Sequence, residues 1–278
     1  MDYLELTLEL EPKRPWSEIA IAELADLGFE SFVETDNGIQ AYAPYAVGDA
    51  KELFGRTSLA DNPQVSVKLD AKKIAHQNWN ARWESDFHPV EIDDELVILA
   101  PFHDKTAFQA KRQIVIQPQM SFGTGHHQTT YLMCRYLMEI PQIAEKVLDM
   151  GTGTGVLAIL AEQLGAKEIV AVDIEPWSVD NTAENALRNN CSSISAVLGD
   201  IDEVSESGFG LILANINKNV LKRHLPYYYQ KLNPGGTLLL SGFFESDIAE
   251  MKEAAIAAGF SFSSSKTKET WAAVAFTN

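Results

Sequence analysis

The 278-residue sequence predicts two units in tandem: a small α+β unit of ferredoxin-like order over residues 1–70 and an α/β unit over residues 96–278, with a helix-bearing linker, 71–95, between them. Three observations lead there. The first stretch reads as βαββαβ, the split arrangement of a ferredoxin-like unit. The last two thirds alternate short apolar runs with amphipathic helical patterns, as a mostly parallel, doubly wound sheet buried on both faces requires. Between the first of those runs and its helix stands "GTGTG", Gly151 to Gly155, a place where the chain turns tightly.

In "YLELTLEL", Leu4, Leu6, Leu8 and Leu10 fall on one face of a strand and Glu5, Thr7 and Glu9 on the other. Pro15 and Ser17 open a helix with Trp16, Ile19 or Ala20, Leu24 and Leu27 at helical spacing, and Gly28 stops it. "FESFVET", the turn "DNG" and "IQAYA" form a hairpin; a short helix near Ala50–Phe54 and the strand "QVSVKLD" complete the unit. In the linker, Trp79 and Trp83 are four residues apart, on one helix face, where burial against a neighbouring domain is their expected use. Past "ELVILAP" come five apolar strands, "EKVLDM", "EIVAVDI", "SAVLGD", "GLILANI" and "GTLLLSGF". Two more strands in "FSFSSSKTKETWAAVAF", with no helix between them, bring the sheet to seven strands with an antiparallel last one.

Hydrophobic residues make up 46% and charged residues 22%, enough apolar material for a sizeable core. No run approaches the roughly 18 apolar residues of a membrane span, and "MDYLELTLEL" is no signal peptide, so a cytoplasmic location without membrane attachment is expected. Cys134 and Cys191 lack metal-ligand spacing and read as structural thiols. Net charge is −17, and residues 1–65 hold 13 acidic against 4 basic residues. Such a surface repels bare nucleic acid and favours a basic partner.

The glycine-rich turn departs from the GxGxxG of dinucleotide sites: the third glycine arrives one residue early and Asp149 precedes the first. An acid beside Gly151 and Gly153 suits a cationic, phosphate-free nucleoside better than pyrophosphate. Asp173 ends the second strand, where a carboxylate can accept both hydroxyls of a ribose. Asp200 ends the third, placed to meet an adenine amino group, and Asn215 ends the fourth beside the switch point. A helix cap for Asp173 or a turn for Asn215 would explain either residue alone, but not the ordered set.

"FGTGHHQTT", "VLDMGTGTGVLAI", "AVDIEPWSVDNTAENALRNN" and "ANIN" together resemble the class I S-adenosylmethionine-dependent methyltransferases, and within them the PrmA family, which acts on large-subunit ribosomal protein L11. The resemblance covers nearly the whole chain. It implies an N-terminal ferredoxin-like substrate-recognition domain and a Rossmann-like catalytic domain. It also implies S-adenosyl-L-methionine as donor and transfer of methyl groups to lysine ε-amines and the N-terminal α-amine of L11. Carried over, "FGTGHHQTT" is a loop closing over the donor, with Phe122, Gly123 and Thr130 beside it and Gly125 easing its approach; Thr129 or Thr130 also caps the next helix. His126 and His127 are adjacent in an extended loop with no third ligand at zinc spacing, so no metal is expected. "ANINKN" replaces the NPPY-type motif that grips planar amides or bases, which favours a flexible primary amine. No general base stands out. Methylation of another amine, in a protein or small molecule, and a non-catalytic nucleotide-binding module are the alternatives; the loop at Gly123–Thr130 is superfluous to the latter.

Overall fold

The computed structural model describes residues 2–74, 87–119 and 121–278. Two compact units divide the chain, 1–86 and 87–278.

In the first, β1 (Tyr3–Glu11), α1 (Trp16–Asp26), β2 (Ser31–Thr35), β3 (Gly38–Pro44), α2 (Ala50–Phe54) and β4 (Ser66–Ile74) follow in sequence. The sheet is antiparallel throughout, in the order β2-β3-β1-β4. Alternation does what the spacing predicts: Leu4, Leu6, Leu8 and Leu10 are at most 5% exposed and pack with Leu24, Phe29 and Ile39. Each such leucine contributes about 1.5–3 kcal/mol by leaving water. Glu5, expected on the wet face, is instead buried, and Lys72 reaches across from β4 to within 2.6 Å of it. Lys68 pairs with Glu9 and Lys73 with Asp2 in the same ladder. Part of the acidity of the first 65 residues is therefore balanced by β4.

The expected boundary at residue 70 falls inside that strand. β4 continues to Ile74, opposite Tyr3, because all nine residues of β1 offer it a partner; "KLDAKKI" lacks the apolar alternation that would have announced it. Within the range assigned to the linker, β5 (Val90–Ile92) is a strand, antiparallel to β6 (Leu96–Leu99), which β7 (Arg112–Val115) joins in parallel. The linker helix and its Trp79 and Trp83 lie outside the described residues.

The second unit is a seven-stranded sheet of β8 (Lys146–Met150), β9 (Glu168–Asp173), β10 (Ile194–Leu198), β11 (Phe209–Asn215), β12 (Leu232–Phe244), β13 (Ser261–Lys268) and β14 (Trp271–Thr277). Its order is β10-β9-β8-β11-β12-β14-β13, with β14 alone antiparallel to its neighbours. The helices are α3 (Gln128–Glu139), α4 (Val156–Gln163), α5 (Pro176–Arg188), α6 (Lys218–Lys231) and α7 (Ile248–Ala257). Successive strand residues serve opposite faces. Val147, Leu211 and Leu213 pack with α3 and α4, whereas Leu148, Met150 and Ile212 pack with Leu221, Leu225 and Tyr228 of α6 and Met251 of α7. Strand order reverses at β8, so a crevice opens where β8 and β11 end. Cys134 and Cys191 are buried free thiols, and burial pushes the Cys134 thiol up to about 12. No helix among the described residues is long and apolar enough to cross a membrane.

Candidate functional site

β8 ends in Asp149 and Met150, and the glycine turn hooks back at once onto the next strand: the amides of Gly151 and Thr152 both donate to the Val172 carbonyl, at 2.8 and 3.0 Å. Gly151, Gly153 and Gly155 all have positive φ (74°, 59° and 82°), and Gly155 starts α4. The room saved by the missing side chains is filled by the protein itself. A Cβ on Gly153 would lie 2.2 Å from the Phe122 carbonyl oxygen, and one on Gly151 2.1 Å from Ile216 Cγ2. The amide of Thr154 donates to Phe122 O and its hydroxyl to Gly123 O, so the "FGTG" loop is sewn onto the turn.

Three asparagines at helical spacing, two on α5 and Asn189 at its C-cap, brace this junction. Asn185 accepts the Gln117 N–H at 2.9 Å and donates to Thr154 O, Asn189 bridges the N–H and C=O of Val115, and Asn181 donates to Gln117 O. Buried backbone groups that the turn and β7 leave open are thereby satisfied.

A cavity of about 680 Å³ lies over this edge of the sheet. Phe122, Gly151, Gly153, Asp173, Asp200 and Asn215 line it; Gly123, Asp149 and Thr130 do not. Asp173 is largely buried and holds the turn: Oδ2 accepts the Gly153 N–H at 2.9 Å and Oδ1 the Glu175 N–H at 3.1 Å. Asp149 sits behind the glycines, 1% exposed, with Oδ2 accepting the Thr152 hydroxyl at 2.7 Å. Burial pushes its carboxyl up to about 7, although the Thr152 hydroxyl pulls the other way. Among the described residues, three buried side-chain atoms have no hydrogen-bond partner: Thr130 Oγ1, Asp149 Oδ1 and Asn215 Oδ1. Each belongs to a residue singled out from sequence.

The helix cap expected of Thr129 or Thr130 is made by His127. Its Nδ1 accepts the Thr129 N–H at 3.3 Å and lies 2.8 Å from Thr129 Oγ1, because α3 begins already at Gln128 and takes both threonines into its first turn. Burial lowers the His127 pKa, so the ring is neutral and Nε2 carries the proton. His126 turns away, Nε2 to the His88 carbonyl at 2.8 Å and Nδ1 to Thr124.

Trp271, Arg223, His224 and Trp177 line the cavity without having been anticipated. Phe122 meets His127 and His127 meets Trp271 edge to face, with ring centroids 5.2 and 4.5 Å apart, and Phe244 lies tilted on Trp271 at 4.4 Å. Trp271 arrives because β14 runs antiparallel and brings it opposite Phe244. Arg223 and His224 reach the cavity from α6, and Trp177 from α5. Trp271, Arg223, His224 and Trp177 carry no local signal, since a helix or a returning strand delivers each.

A family model described as "Ribosomal protein L11 methyltransferase (PrmA)" matches residues 15–278. The chain is 40% identical over 275 residues to the ribosomal protein L11 methyltransferase of Porphyromonas gingivalis, covering 98% of this chain and 93% of that protein. It is 38% identical over 280 residues to the protein of that name in Bacteroides thetaiotaomicron, covering 100% of both. Among solved structures, the ribosomal protein L11 methylase of Lactobacillus delbrueckii subsp. bulgaricus is 27% identical with a TM-score of 0.63, over 68% of this chain and 98% of that one.

Proposed function

Because the chain belongs to the ribosomal protein L11 methyltransferase family, we propose that it methylates L11 at lysine ε-amines and at the N-terminal α-amine, with S-adenosylmethionine as donor. The observation that carries the site assignment is Asn215 Oδ1, buried, without a hydrogen-bond partner and on the wall of a cavity at the switch point; the other two such atoms, on Thr130 and Asp149, belong to residues that do not line it. Polar atoms are rarely left so in a finished interior, and a polar ligand in the cavity supplies what Asn215 lacks. The volume is in the range of small-molecule sites, about 300–1,000 Å³.

Residue roles follow from these positions. Gly151 and Gly153 present turn backbone to the donor, and Phe122 and Gly123 cover it. Asp173 spends one lone pair of each oxygen on backbone amides, which leaves the others for ribose hydroxyls. Asp200 accepts from the adenine amine and Asn215 completes the lining, while Asp149 holds the glycine turn from behind through Thr152 and Thr130 lies outside the cavity wall. When bound, the donor supplies an electrophilic sulfonium methyl.

The acceptor amine has to lose a proton first. At pH 7.4 this costs a lysine about 4 kcal/mol. His127 does not take that proton, since Nδ1 is occupied by Thr129 and Nε2 is already protonated. Asn215 Oδ1 accepts an amine N–H and aims the lone pair, and the Phe122–His127–Trp271 rings keep water away. Asn215→Ala should lose transfer at least 100-fold at saturating donor; normal transfer in that variant contradicts the assignment. The first unit is proposed as the recognition module for a basic substrate. Reversing exposed Glu18, Asp26 and Glu30 to lysine should raise KM for L11 and leave donor affinity unchanged.

A further inference from the structure

We propose that His224, backed by Tyr228, is a positioning residue that fixes Asp200 as a hydrogen-bond acceptor, and that the site thereby selects a 6-amino purine over a 6-oxo purine. This rests on the reading of the cavity as the donor site.

Asp200 follows β10 and caps the short turn Ile201–Glu203. Its Oδ1 accepts the Ile201 N–H at 2.8 Å, and its own N–H donates to Glu203 Oε2 at 2.8 Å. From α6 come two further contacts to the same carboxylate: His224 Nε2 lies 3.2 Å from Oδ1, and Arg223 donates to Oδ2 at 3.2 Å. Behind the imidazole, Nδ1 is 3.1 Å from the Tyr228 hydroxyl. His224 is 1% exposed and Tyr228 fully buried, so this floor cannot relax into solvent.

The partners determine the protons. An ionised carboxylate can only accept, so the contact of Nε2 with Oδ1 puts the ring hydrogen on Nε2, and Nδ1 then accepts from the Tyr228 hydroxyl; Arg223 Nη2, 3.3 Å from Nε2, can only donate and directs its hydrogen to Asp200 Oδ2 instead. Burial keeps His224 neutral against the pull of Asp200 and Asp202, with Arg223 opposing them. Burial likewise keeps Tyr228 protonated. Arg223 is well exposed, and a solvent-exposed ion pair holds geometry weakly. The buried histidine is therefore the rigid contact, and the arginine the adjustable one.

Held at Oδ1 from two sides and with Arg223 on one lone pair of Oδ2, Asp200 offers its last lone pair, on Oδ2, to the cavity in one orientation. An exocyclic amine placed there donates to it. A carbonyl at the same position presents a lone pair to a lone pair, and an immobile carboxylate cannot move aside toward a ring N–H instead. A site built around a hydrogen bond discriminates strongly against an analogue that cannot make it.

The test is calorimetric binding of S-adenosylhomocysteine and S-inosylhomocysteine to the full chain, with steady-state kinetics alongside. The wild type should prefer the adenosyl compound by about 100-fold, a conservative figure for such a site. His224→Phe, which keeps a ring and loses both nitrogens, should reduce the preference to about fivefold or less and raise the donor KM, with kcat at saturating donor unchanged. His224→Gln, whose amide nitrogen can donate where Nε2 did, should retain most of it. Tyr228→Phe gives the same reading in milder form should His224→Phe not fold. A wild-type preference in both His224→Phe and Tyr228→Phe overturns the proposal. Binding of the adenosyl compound without preference overturns it too but leaves the donor site standing, whereas binding of neither nucleoside removes the donor reading itself.

Discussion

Asp149→Asn should make the protein more stable above neutral pH and worse at holding its donor. Asp149 is buried beneath the glycine turn with one oxygen bonded to Thr152 and the other unpartnered. Its carboxyl moves from 3.8 to about 7 on folding, chiefly through burial. A raised acid binds a proton more tightly in the folded than in the unfolded state, so stability falls as pH rises from 3.8 towards 7 and stays low above. The full difference corresponds to about 4 kcal/mol, of which roughly 3 kcal/mol develops between pH 5 and pH 8. Asparagine has the same shape, keeps an oxygen for the Thr152 hydroxyl and carries no charge at any of these pH values. Free of ligand, the variant should therefore gain little at pH 5 and about 2–3 kcal/mol at pH 8, once some loss is allowed for an amide N–H without an acceptor. For a unit of this size that is a rise in Tm of about 4–12 °C. Thermal melts of both proteins from pH 5 to pH 8, with and without S-adenosylhomocysteine, provide the readout. The ligand should stabilise the wild type more than the variant. A gap in Tm that does not change with pH would refute the reasoning about burial, and equal ligand stabilisation would refute a role for Asp149 in the site.

Gly153→Ala forces a Cβ to within 2.2 Å of Phe122 O at a φ of 59°, so donor binding by calorimetry should weaken more than tenfold as the loop is displaced. Asn185→Ala removes the partners of Gln117 N–H and Thr154 O at once, and should cost about 2–3 kcal/mol in denaturant unfolding while raising the donor KM. With no side chain taking the amine proton, kcat/KM for L11 should rise about tenfold per pH unit from 6 to 8.5, and His127→Asn, which can still cap α3, should keep that slope. A slope that disappears in His127→Asn would make the histidine the base.

What could be read along the chain was whatever one stretch encodes alone. Leu4 to Leu10 announce a half-buried strand by period two, and the five apolar runs from "EKVLDM" to "GTLLLSGF" announce a sheet covered on both sides; all of these form. The glycine turn was legible because three positive-φ residues in five leave few other readings. Its physical reason was legible only in part, since the space above Gly151 and Gly153 is taken by Ile216 and Phe122. β4 ran past its expected end because ion pairs to β1, and not apolar alternation, decorate its last residues. Arg223, His224 and Trp271 could not have been found from spacing. They meet the strand ends only after α6 packs under the sheet and β14 returns antiparallel.

The most direct test of the central claim is intact-mass spectrometry of purified ribosomal protein L11 incubated with this protein and S-adenosylmethionine, beside an Asp173→Ala control. Mass gains in steps of one methylene, absent from the control, are the predicted result. An unchanged mass, with donor binding demonstrated separately, would contradict L11 as the substrate.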